Sequence, residues 1–430
     1  MNKLIALFMV AALATNASAV DLWTNADLDN DFTNAANWTP SPTSGDDFFV
    51  VKDGTNKAIL AVDSPWVIDD LYIGAYGNAG DLDITGGTHV INNRFRLVYG
   101  STTPSSTLNI SGSASVTAGV SYTTWGDTDT TGDATVSISD SASVTLDRIT
   151  LGSNGSGTTT VTMSGSSSLT LTPMDPTPAS TTGVFRFGDT TGGVYVTVSD
   201  SAIITAECMA LGWHDFDGIR VNNNSPGLLT ISDSAEVHLT GSTLAAYGDA
   251  IGAPYDEYLE DFPTILAYED INGDDLGGRI VMDGGVFDLA GDQEALIEAM
   301  LRDTGDLTGS LFTDAYITNS DQYKGLVPVY DDYNTGYTRV VICSAGDANG
   351  DGLVNASDQD VLDANFGQSG DRIWMDADFN GDNAVDECDR DILMSNYGNS
   401  YAYYVPEPST LVGLLVLCLA GLLGSTRRKC

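Results

Sequence analysis

Short runs of alternating apolar and polar residues fill the middle of the chain. In Thr135–Ile138 and Ser143–Leu146, Val, Ile and Leu recur at every second position, and Thr or Ser stands between them. Such alternation predicts a β-strand with one buried face, and β-branched side chains favour the same structure. We therefore predict that this region consists of many short strands.

The strand pattern recurs along the chain. Seven segments share an apolar residue, a small or polar residue, a Gly or Asp, and a final small residue: Ile84–Gly87, Ile110–Ser113, Ile138–Ser141, Met163–Ser166, Val198–Ser201, Ile231–Ser234 and Met282–Gly285. Successive Gly or Asp anchors lie 25 to 35 residues apart, except for one gap of 51. Repeats of this length predict a solenoid, in which each repeat adds one coil to a continuous core.

A third strand in each repeat ends in Gly. Examples are Leu71–Gly74, Arg148–Gly152, Phe185–Gly188 and Met209–Gly212. Three short strands per coil, separated by Gly, Ser and Asp turns, predict an all-β fold: a right-handed parallel β-helix over residues 20–345. The Thr and Ser positions then face solvent as a consequence of the fold. Asp140, Asp200 and Asp233 occupy the anchor position and are interpreted as turn residues.

The two ends of a solenoid must be covered, because an open coil exposes apolar side chains and unpaired strand edges. Trp23–Val51 breaks the repeat and is predicted to cap the first coil. A helix over Gln293–Arg302 with Asp292 as N-cap, then strands over 327–330 and 337–342, are predicted to close the last coil. An insertion over Ile251–Gly278, rich in Tyr and acidic residues, is either a carbohydrate cleft or a solvated loop, and the loop is favoured.

Composition and charge narrow the range of functions. The chain has 430 residues, 42% of them hydrophobic, which is enough for two or three folded units. Acidic residues outnumber basic ones by 59 to 17, for a formal net charge of -42. A field of this sign repels phosphate backbones and argues against nucleic acid as a partner. The cysteines indicate no disulfide framework, and both a Cys343–Cys388 bridge and free thiols are open.

The N-terminal residues 1–19 have the order of a secretory signal peptide. Lys3 precedes an apolar run over Leu4–Ala14, and Ala17, Ser18 and Ala19 follow. The run is too short for a membrane span and ends in the small residues of a signal peptidase site. This order favours a cleaved signal over a buried N-terminal helix. We expect cleavage after Ala19 and export of the chain.

Residues 401–430 carry three elements in a fixed order. They are the Pro406-Glu407-Pro408 motif, an apolar segment over Leu411–Gly424, and a basic cluster with Arg427 and Arg428. This tail resembles the PEP-CTERM sorting signal, and the Trp, Asn-Trp and Gly-Asp-Asp order of the N-terminal cap resembles that of secreted PEP-CTERM β-helix proteins. The resemblance implies an exosortase-type membrane transpeptidase that removes a transient membrane anchor. A permanent single-pass anchor is the alternative, and both place the bulk of the chain at the cell surface or outside the cell.

Two acidic loops repeat one spacing. The candidate oxygen ligands of the first are Asp347, Asn349, Asp351, the Leu353 carbonyl, Asn355 and Asp358, and those of the second, 31 residues later, are Asp378, Asn380, Asp382, the Ala384 carbonyl, Asp386 and Asp389. Ca²⁺ takes roughly six to eight oxygen ligands, which alternate residues of a tight loop supply. The pattern therefore predicts two Ca²⁺ ions. Asn383 stands where the first loop has Gly352, and Asn tolerates left-handed backbone better than most residues.

A helical pattern follows each loop, over Gln359–Gly367 and Arg390–Gly398, whereas a strand leads into the first loop. Loop followed by helix, twice, resembles a type I dockerin over residues 346–400. The resemblance implies a cohesin-like partner that contacts two neighbouring residues of each loop. These are Ala356 and Ser357 in the first copy, and Glu387 and Cys388 in the second. They depart from the hydroxyl pair typical of the family, which leaves the choice of partner open.

No arrangement of residues predicts catalysis. Polysaccharide lyases and hydrolases of β-helical shape need a base beside a carboxylate cluster, or acids on one coil face, but the Arg residues of the repeats are scattered. His89, His214 and His238 fit no metal or triad spacing and are interpreted as isolated surface or edge residues. We expect a non-catalytic surface protein that acts in attachment or extracellular matrix assembly, with extracellular polysaccharide as a candidate ligand. A dockerin-tethered polysaccharide lyase or hydrolase is the alternative.

Overall fold

The structure is a computed structural model that describes residues 20–400 with internal gaps. The gaps are residues 53–56, 101–102, 120–122, 127–130, 153–155, 173–182, 188–191, 212–226, 242–264, 268–277, 302–316, 319–323, 332–334 and 371. The predicted signal peptide, most of the predicted insertion and the predicted sorting tail lie outside the described residues. Within the described part of the chain, none of the helices has the length and apolar character needed to cross a membrane.

Strands make up most of the regular structure up to Ser344. The first half holds β1 (Val20–Trp23), β2 (Trp38–Thr39), β3 (Asp46–Val50), β4 (Ala58–Leu60), β5 (Ile68–Ala75), β6 (Asp81–Ile84), β7 (Thr88–Ile91), β8 (Phe95–Tyr99), β9 (Ser106–Ile110), β10 (Ser115–Ala118), β11 (Thr123–Trp125), β12 (Ala134–Ile138), β13 (Ser143–Leu146) and β14 (Ile149–Leu151). The second half holds β15 (Thr159–Met163), β16 (Ser168–Leu171), β17 (Val184–Phe187), β18 (Val194–Val198), β19 (Ile203–Ala206), β20 (Cys208–Leu211), β21 (Gly227–Ile231), β22 (Glu236–Leu239), β23 (Ile265–Ala267), β24 (Gly278–Met282), β25 (Val286–Ala290), β26 (Ile317–Thr318), β27 (Lys324–Tyr330) and β28 (Tyr337–Ser344).

Three α-helices and two short 3₁₀ helices complete the secondary structure of the described residues. The α-helices are α1 (Glu294–Leu301), α2 (Ala356–Asn365) and α3 (Glu387–Asn396), and the 3₁₀ helices span Ala35–Asn37 and Trp374–Asp376. Helix α1 begins one residue after the predicted start. Asp292 therefore precedes the N-cap position, and its carboxylate accepts a long hydrogen bond of 3.4 Å from the Glu294 N–H.

The strands stack in long parallel ladders. One ladder runs β1-β3-β5-β8-β11-β14-β17-β20-β23, a second runs β7-β10-β13-β16-β19-β22-β25 and is joined to the first at β5, and a third runs β4-β6-β9-β12-β15-β18-β21-β24-β26. Each strand thus pairs with the equivalent strand of the next repeat. The chain is all-β with long parallel sheets, and the prediction of short parallel strands at a regular interval is confirmed.

Residues in register form columns of buried side chains. Val136, Val161 and Val196 are direct partners on β12, β15 and β18, and each is at most 1% exposed. Burying a side chain of this size contributes about 1.5–3 kcal/mol, and neighbouring strands lie only about 4.8 Å apart. One core cluster consequently continues through all the described repeats.

Five of the seven repeat anchors adopt a left-handed backbone, whereas in the first and last repeats the following residue, Gly87 or Gly285, does so. Asp140, Asp200 and Asp233 have φ angles of 60°, 58° and 55°. Their carboxylates also tie neighbouring repeats together: Oδ2 of Asp140 accepts from the Gly112 N–H at 2.9 Å, and Oδ2 of Asp200 accepts from the Gly165 N–H at 2.9 Å. These contacts agree with their interpretation as turn residues.

Aromatic residues extend the core at the N-terminal end. Phe32 packs edge to face on Trp38 with ring centroids 4.8 Å apart, and Trp38 packs in the same way on Phe48 at 4.9 Å. The Trp38 indole N–H donates to the Phe32 carbonyl at 2.8 Å, which satisfies the polar atom of a buried ring. The Trp residues of the predicted cap therefore serve packing.

The pairing changes from parallel to antiparallel at the other end. Strand β28 pairs antiparallel with both β25 and β27, so the predicted pair of late strands is present and longer than expected. Arg339 of β28 forms two hydrogen bonds of 2.7 Å to the Asp288 carboxylate of β25. Asp288 is fully buried, and the hairpin β27–β28 is thereby fastened to the last parallel strand.

Candidate metal centre

Residues 347–358 (loop 1) and 378–389 (loop 2) lead directly into α2 and α3. Both helices begin three residues earlier than predicted, at Ala356 and Glu387. The N-cap of α2 is Asn355, whose side chain accepts from the Ser357 N–H at 2.7 Å, while Asp358 accepts from the Asn355 N–H at 2.8 Å. This reciprocal capping box, which satisfies otherwise unpaired N–H groups, explains the early start.

Loop 1 is organised around two buried carboxylates. Asp347 accepts from the backbone N–H groups of Gly350 at 2.8 Å and Gly352 at 3.0 Å. Asp358, at the other end of the loop, accepts from the Ala348 N–H at 2.8 Å. The backbone of the loop consequently wraps around the side chains that were predicted to bind the ion. Asn349 and Asp351 continue the wrapping, since each side chain accepts from the N–H two residues ahead, at 3.0 and 2.8 Å.

Loop 2 repeats the hydrogen bonds of loop 1 at equivalent positions. Asp378 accepts from the N–H groups of Gly381 and Asn383, both at 2.8 Å, and Asp389 accepts from the Phe379 N–H at 2.7 Å. Asn383 has φ of 63°, beside 81° for Gly352 in loop 1. An Asn therefore takes the same left-handed conformation as the Gly that it replaces, as the sequence led us to expect.

The carboxylates that begin and end each loop are almost fully buried. The exposed fraction is 0% for Asp347, Asp358 and Asp389, and 2% for Asp378. Burial raises the pKa of Asp347 to about 6, and repulsion from Asp358 and Asp351 adds to the effect. Burial also raises the pKa of Asp358 and of Asp378, against the opposing effect of the N–H donors. The loops therefore concentrate negative charge at a cost that a cation would offset.

The arginines of this module pair with other acids. Arg372 lies 3.8 Å from Asp376, and Arg390 pairs with Asp363 at 3.9 Å and with Glu387 at 2.8 Å. These pairs leave the charge of the buried loop carboxylates, on Asp347, Asp358, Asp378 and Asp389, to be balanced in another way. The donor set of clustered carboxylate, amide and carbonyl oxygens suits a hard divalent cation such as Ca²⁺.

The two loop–helix units brace each other through backbone hydrogen bonds. In one direction, Val354 of loop 1 donates to the Asn399 carbonyl and accepts from the Gly398 N–H, just beyond α3. In the other direction, Val385 of loop 2 donates to the Gln368 carbonyl and accepts from the Gly367 N–H, just beyond α2. Each loop is thus bonded to the end of the other unit's helix, so that order in one loop supports order in the other.

Loop 1 also packs on the hairpin β27–β28. A Cβ built on Gly350 would lie 3.0 Å from Val341 and 3.1 Å from Val327 of the hairpin, which marks a close approach. The Trp374 indole covers Gly325 so closely that an added Cβ would overlap the ring, and its N–H donates to the Asp347 carbonyl at 2.8 Å. The candidate metal loop is therefore in direct contact with the β-domain.

The predicted ligands differ in their hydrogen bonds, because some of them also cap a helix. The side chains of Asp347, Asn349, Asp351 and Asp358 lie within one hydrogen-bonded loop, as do their counterparts Asp378, Asn380, Asp382 and Asp389. The carbonyls of Leu353 and Ala384 lie between them in sequence. Asn355 and Asp386 also act as N-caps of α2 and α3, each accepting from the N–H two residues ahead at 2.7 Å. The sequence analysis identified this position only as a ligand and did not include its second role as a cap.

The residues assigned to partner contact lie at the starts of α2 and α3. Ala356, Ser357, Glu387 and Cys388 are all exposed. Cys343 is buried in β28 and Cys388 is exposed, and both thiols are free. Of the two thiol states left open by the sequence, the structure has the unbridged one.

Two histidine interpretations need correction. His89 was interpreted as a surface or edge residue, but it is only 1% exposed, and its Nε2 lies 2.7 Å from the Gly86 carbonyl. His238 is not isolated, because its ring nitrogens lie 2.8 Å from Glu236 and 3.3 Å from Asp288. Strand alternation places His89 on the inner face of β7. The burial of His89 was therefore predictable from alternation, although the spacing of the histidines does not show it. His214 lies outside the described residues.

A further group of acids lies near the N-terminus. Asp47, Asp69 and Asp70 each offer a carboxylate oxygen within 4.8 Å of the others. By sequence, Asp46 and Asp47 belong only to the predicted cap. One feature of the sequence could have predicted this group. Two pairs of adjacent acids, at 46–47 and 69–70, lie on strands that occupy the same position in neighbouring repeats. Asp46 and Ile68 are register partners on β3 and β5, which brings the doublets together.

Comparisons with protein-family models, curated proteins and solved structures find no match to this chain. The fold and the loops therefore define its class by themselves: an all-β chain with long parallel sheets, followed by a paired loop–helix module. The sorting residues Pro406, Glu407, Pro408, Arg427 and Arg428 lie outside the described residues.

Proposed function

We propose that this chain is an exported, surface-sorted, non-catalytic protein whose residues 346–400 fold around two Ca²⁺ ions and dock a partner. The observation that carries the proposal is the equivalence of loops 1 and 2. Their hydrogen bonds match position by position, and each buries two carboxylates without drawing on the arginines of the module. Turns that served only to reverse the chain would have no reason to bury four acids.

In this proposal the ligands of loop 1 are Asp347, Asn349, Asp351, Asp358 and the Leu353 carbonyl. Those of loop 2 are Asp378, Asn380, Asp382, Asp389 and the Ala384 carbonyl. Asn355 and Asp386 complete the two ligand sets and also cap the helices that follow. A bound Ca²⁺ would neutralise the buried carboxylates, and this supplies folding free energy to a module whose own apolar core is small.

The β-domain would present this module at the cell surface. We infer that the three ladders wind as one right-handed parallel β-helix, because each ladder connects the same repeats in the same order. Such a domain is a rigid spacer, and the dockerin-like exposed residues Ala356, Ser357, Glu387 and Cys388 suit a cohesin-like partner. Together with a cleaved signal and a PEP-CTERM tail processed by an exosortase, this arrangement suits attachment or extracellular matrix assembly, with polysaccharide as a ligand.

Calorimetric titration of Ca²⁺ into the chain of residues 20–400 tests the metal proposal. We expect two ions per chain, one ion after Asp347→Ala or Asp378→Ala, and none after both changes, because the first ligand of each loop is lost. Asp363→Ala is the matched control, since this side chain on α2 is 54% exposed and belongs to neither loop. Two ions bound by the double variant would contradict the proposal, as would no binding by the unchanged chain.

A further inference from the structure

The first strand brings an acid without a counter-charge into the protein interior. Asp21 is 0% exposed, and within the described part of the chain neither of its carboxylate oxygens has a hydrogen-bond partner. Oδ1 of Asp47, on the adjacent strand β3, is buried without a partner as well. An ionised carboxylate is costly to bury unless it is paired. The region therefore calls for a cation.

The neighbouring acids make this need greater. The carboxyl group of Asp46 lies within hydrogen-bonding reach of Asp21, but two ionised carboxylates repel each other instead of bonding. Asp46 is itself held by Thr43, whose N–H and hydroxyl donate to its Oδ2 at 2.7 and 2.6 Å. Burial and these neighbours raise the pKa of Asp21 to about 7. Burial, together with Asp70 and Asp69, raises that of Asp47 to about 7.

The nearby Arg94 pairs with Asp70 and also lowers the pKa of Asp47 and of Asp69. Arg94 lies 3.8 Å from the Asp70 carboxylate, and its backbone N–H donates to Asp70 at 2.9 Å. The Tyr72 hydroxyl donates to the second oxygen of Asp70, also at 2.9 Å. Asp70 is thus paired on both oxygens, whereas Asp21 is not. A cation for Asp21 has to come from the side of β1.

The backbone nitrogen of Val20 lies on that side. In the parallel pairing of β1 with β3, Val20 is the register partner of Asp47, and Asp21 is that of Phe48. Adjacent strands lie about 4.8 Å apart. A charged group on the Val20 nitrogen would therefore lie on the strand next to Asp47 and directly before Asp21 in the chain. Opposite charges on such neighbours interact strongly when the surroundings exclude water.

We propose that the α-ammonium group of Val20, freed when the signal peptide is removed after Ala19, is the counter-ion of Asp21 and Asp47. The inference rests on the proposed export and cleavage. Hydrolysis of the Ala19–Val20 peptide bond consumes one water molecule, gives Ala19 a carboxylate, and leaves Val20 an amine that takes up a proton at neutral pH. Before cleavage the same nitrogen is a neutral amide. Export thus converts an uncompensated acidic pocket into a paired one and completes the N-terminal end of the fold.

A divalent cation is the competing occupant, because Asp47, Asp69 and Asp70 could share one. Both oxygens of Asp70 already accept hydrogen bonds, and Arg94 lies beside it. The three oxygens of that group do not include those of Asp21, the residue whose burial is hardest to explain. The ammonium group accounts for Asp21 and Asp47 together.

The test uses three forms of the chain ending at residue 400, released from a fusion by a protease so that the result does not depend on processing in the cell. One form begins at Val20, the second begins at Val20 with an acetylated amine, and the third retains Ala19. We expect the amine of the first form to titrate at least one pH unit above the usual value of about 8, as measured by NMR of the ¹³C-methylated terminus. We expect its thermal midpoint to exceed those of the other two forms by several degrees.

Substitutions test whether Asp21 causes the raised pKa of the amine and the difference in stability. Asp21→Asn should return the amine to its ordinary titration and remove the difference between free and acetylated forms. Asp27→Asn, a change at an exposed acid of the same segment, should alter neither. If Asp21→Asn does not fold, the comparison of free with acetylated amine still decides, since it changes no side chain.

Two results would overturn the proposal. One is an ordinary amine titration together with equal stability of the three forms. The other is that Ca²⁺ or Mg²⁺, added to all three forms, removes the difference in stability between the free and the acetylated form, which would assign the pocket to a metal. Mass analysis of the secreted protein separates the steps: a chain that starts elsewhere than Val20 contradicts the cleavage, whereas an ordinary amine in the chain that starts at Val20 contradicts the counter-ion.

Discussion

At the scale of single residues, charge is buried in two contrasting ways. Asp288 is fully buried, but Arg339 binds both of its oxygens at 2.7 Å, and His238 lies 3.3 Å from it. Asp21 is equally buried and lacks such partners among the described residues. The acid near the C-terminal end therefore has its counter-charges within the fold, whereas the acid near the N-terminal end has none among the described residues and is proposed to take the charge that signal-peptide cleavage would create.

His238 should make stability depend on pH. Burial opposes its protonation, but hydrogen bonds to Asp288 and Glu236 outweigh burial and raise its pKa to about 9, from 6.5 in a model compound. The stabilisation is therefore complete below about pH 6.5 and is lost as the pH rises through 9. We expect His238→Gln to lower the free energy of unfolding by about 1–3 kcal/mol near pH 6 and by little near pH 10, as measured by urea unfolding.

His89 provides the matched control for this prediction. Burial lowers its pKa, and the hydrogen bond to the Gly86 carbonyl only partly offsets the effect. A lowered pKa destabilises the fold at acid pH, so His89→Gln should change the pH dependence in the opposite direction. If the free energy of unfolding of the two variants changes with pH in the same direction, the contacts with Asp288 and Glu236 do not stabilise the protonated form of His238.

At the scale of elements, the turns between strands decide where each repeat ends. Asp140 links β12 to β13 with φ of 60°, and its carboxylate accepts from the Gly112 N–H of the preceding repeat. Gly occupies the same position in other repeats, with φ of 64° at Gly112 and 69° at Gly165. In these repeats the position therefore requires left-handed backbone first and a carboxylate second.

This order of requirements predicts different costs for two small substitutions. Asp140→Ala loses the hydrogen bond and places a Cβ in left-handed backbone, so we expect a loss of about 1–3 kcal/mol in the free energy of unfolding. Asp140→Gly loses the same bond but adopts the backbone freely, and the loss should be under about 1 kcal/mol. Urea unfolding of both variants measures the difference. Equal losses would mean that the backbone conformation does not matter here.

The helices of the loop–helix module (residues 346–400) illustrate how local rules interact. The sequence was interpreted with each loop ending before its helix began, whereas Asn355 and Asp386 cap helices that overlap the last three loop positions. Asp358 and Asp389 are consequently candidate ligands and members of a capping box at once. A substitution that removes the Asp358 carboxylate as a candidate ligand should therefore also shorten α2, because the same side chain belongs to the capping box.

At the scale of the whole molecule, the loop–helix module (residues 346–400) and the β-domain (residues 20–345) are in direct contact. Trp374 covers Gly325 of β27 and donates to the Asp347 carbonyl, while Val327 and Val341 approach Gly350 of loop 1. Cys343 is buried in the same cluster of hairpin side chains. The hairpin that follows the parallel ladders is thus supported from outside by the loop that is proposed to bind Ca²⁺.

We therefore expect Ca²⁺ to stabilise the β-domain as well as the module. Adding Ca²⁺ to the unchanged chain should raise the thermal midpoint of strand unfolding by several degrees, as measured by circular dichroism. Gly325→Val should abolish this rise, because its side chain collides with Trp374, yet both ions should still bind. Thr335→Val, in the hairpin turn away from Trp374, should preserve the rise. If Ca²⁺ still raises the thermal midpoint of Gly325→Val, the contact between Trp374 and Gly325 does not carry the stabilisation from the loop to the strands.

The sequence by itself determined the features that depend on neighbours along the chain. Alternation fixed which strand face is buried, Gly and Asp fixed the turns, and the repeated spacing identified two equivalent loops, including the left-handed conformation of Asn383. These predictions succeeded because steric rules for the backbone act over a few residues and do not depend on the rest of the fold.

Only the tertiary structure decided which distant groups meet. The bond between Asp288 and Arg339 joins residues 51 positions apart, and the Trp374 contact with Asp347 joins residues 27 apart. The burial of Asp21 beside Asp46 depends on the pairing of β1 with β3. The cost of a charge is set by the solvent and the charges around it, and both are properties of the packed molecule. No local pattern marks Asp21 as different from the exposed Asp27, and only packing makes one of them need a partner.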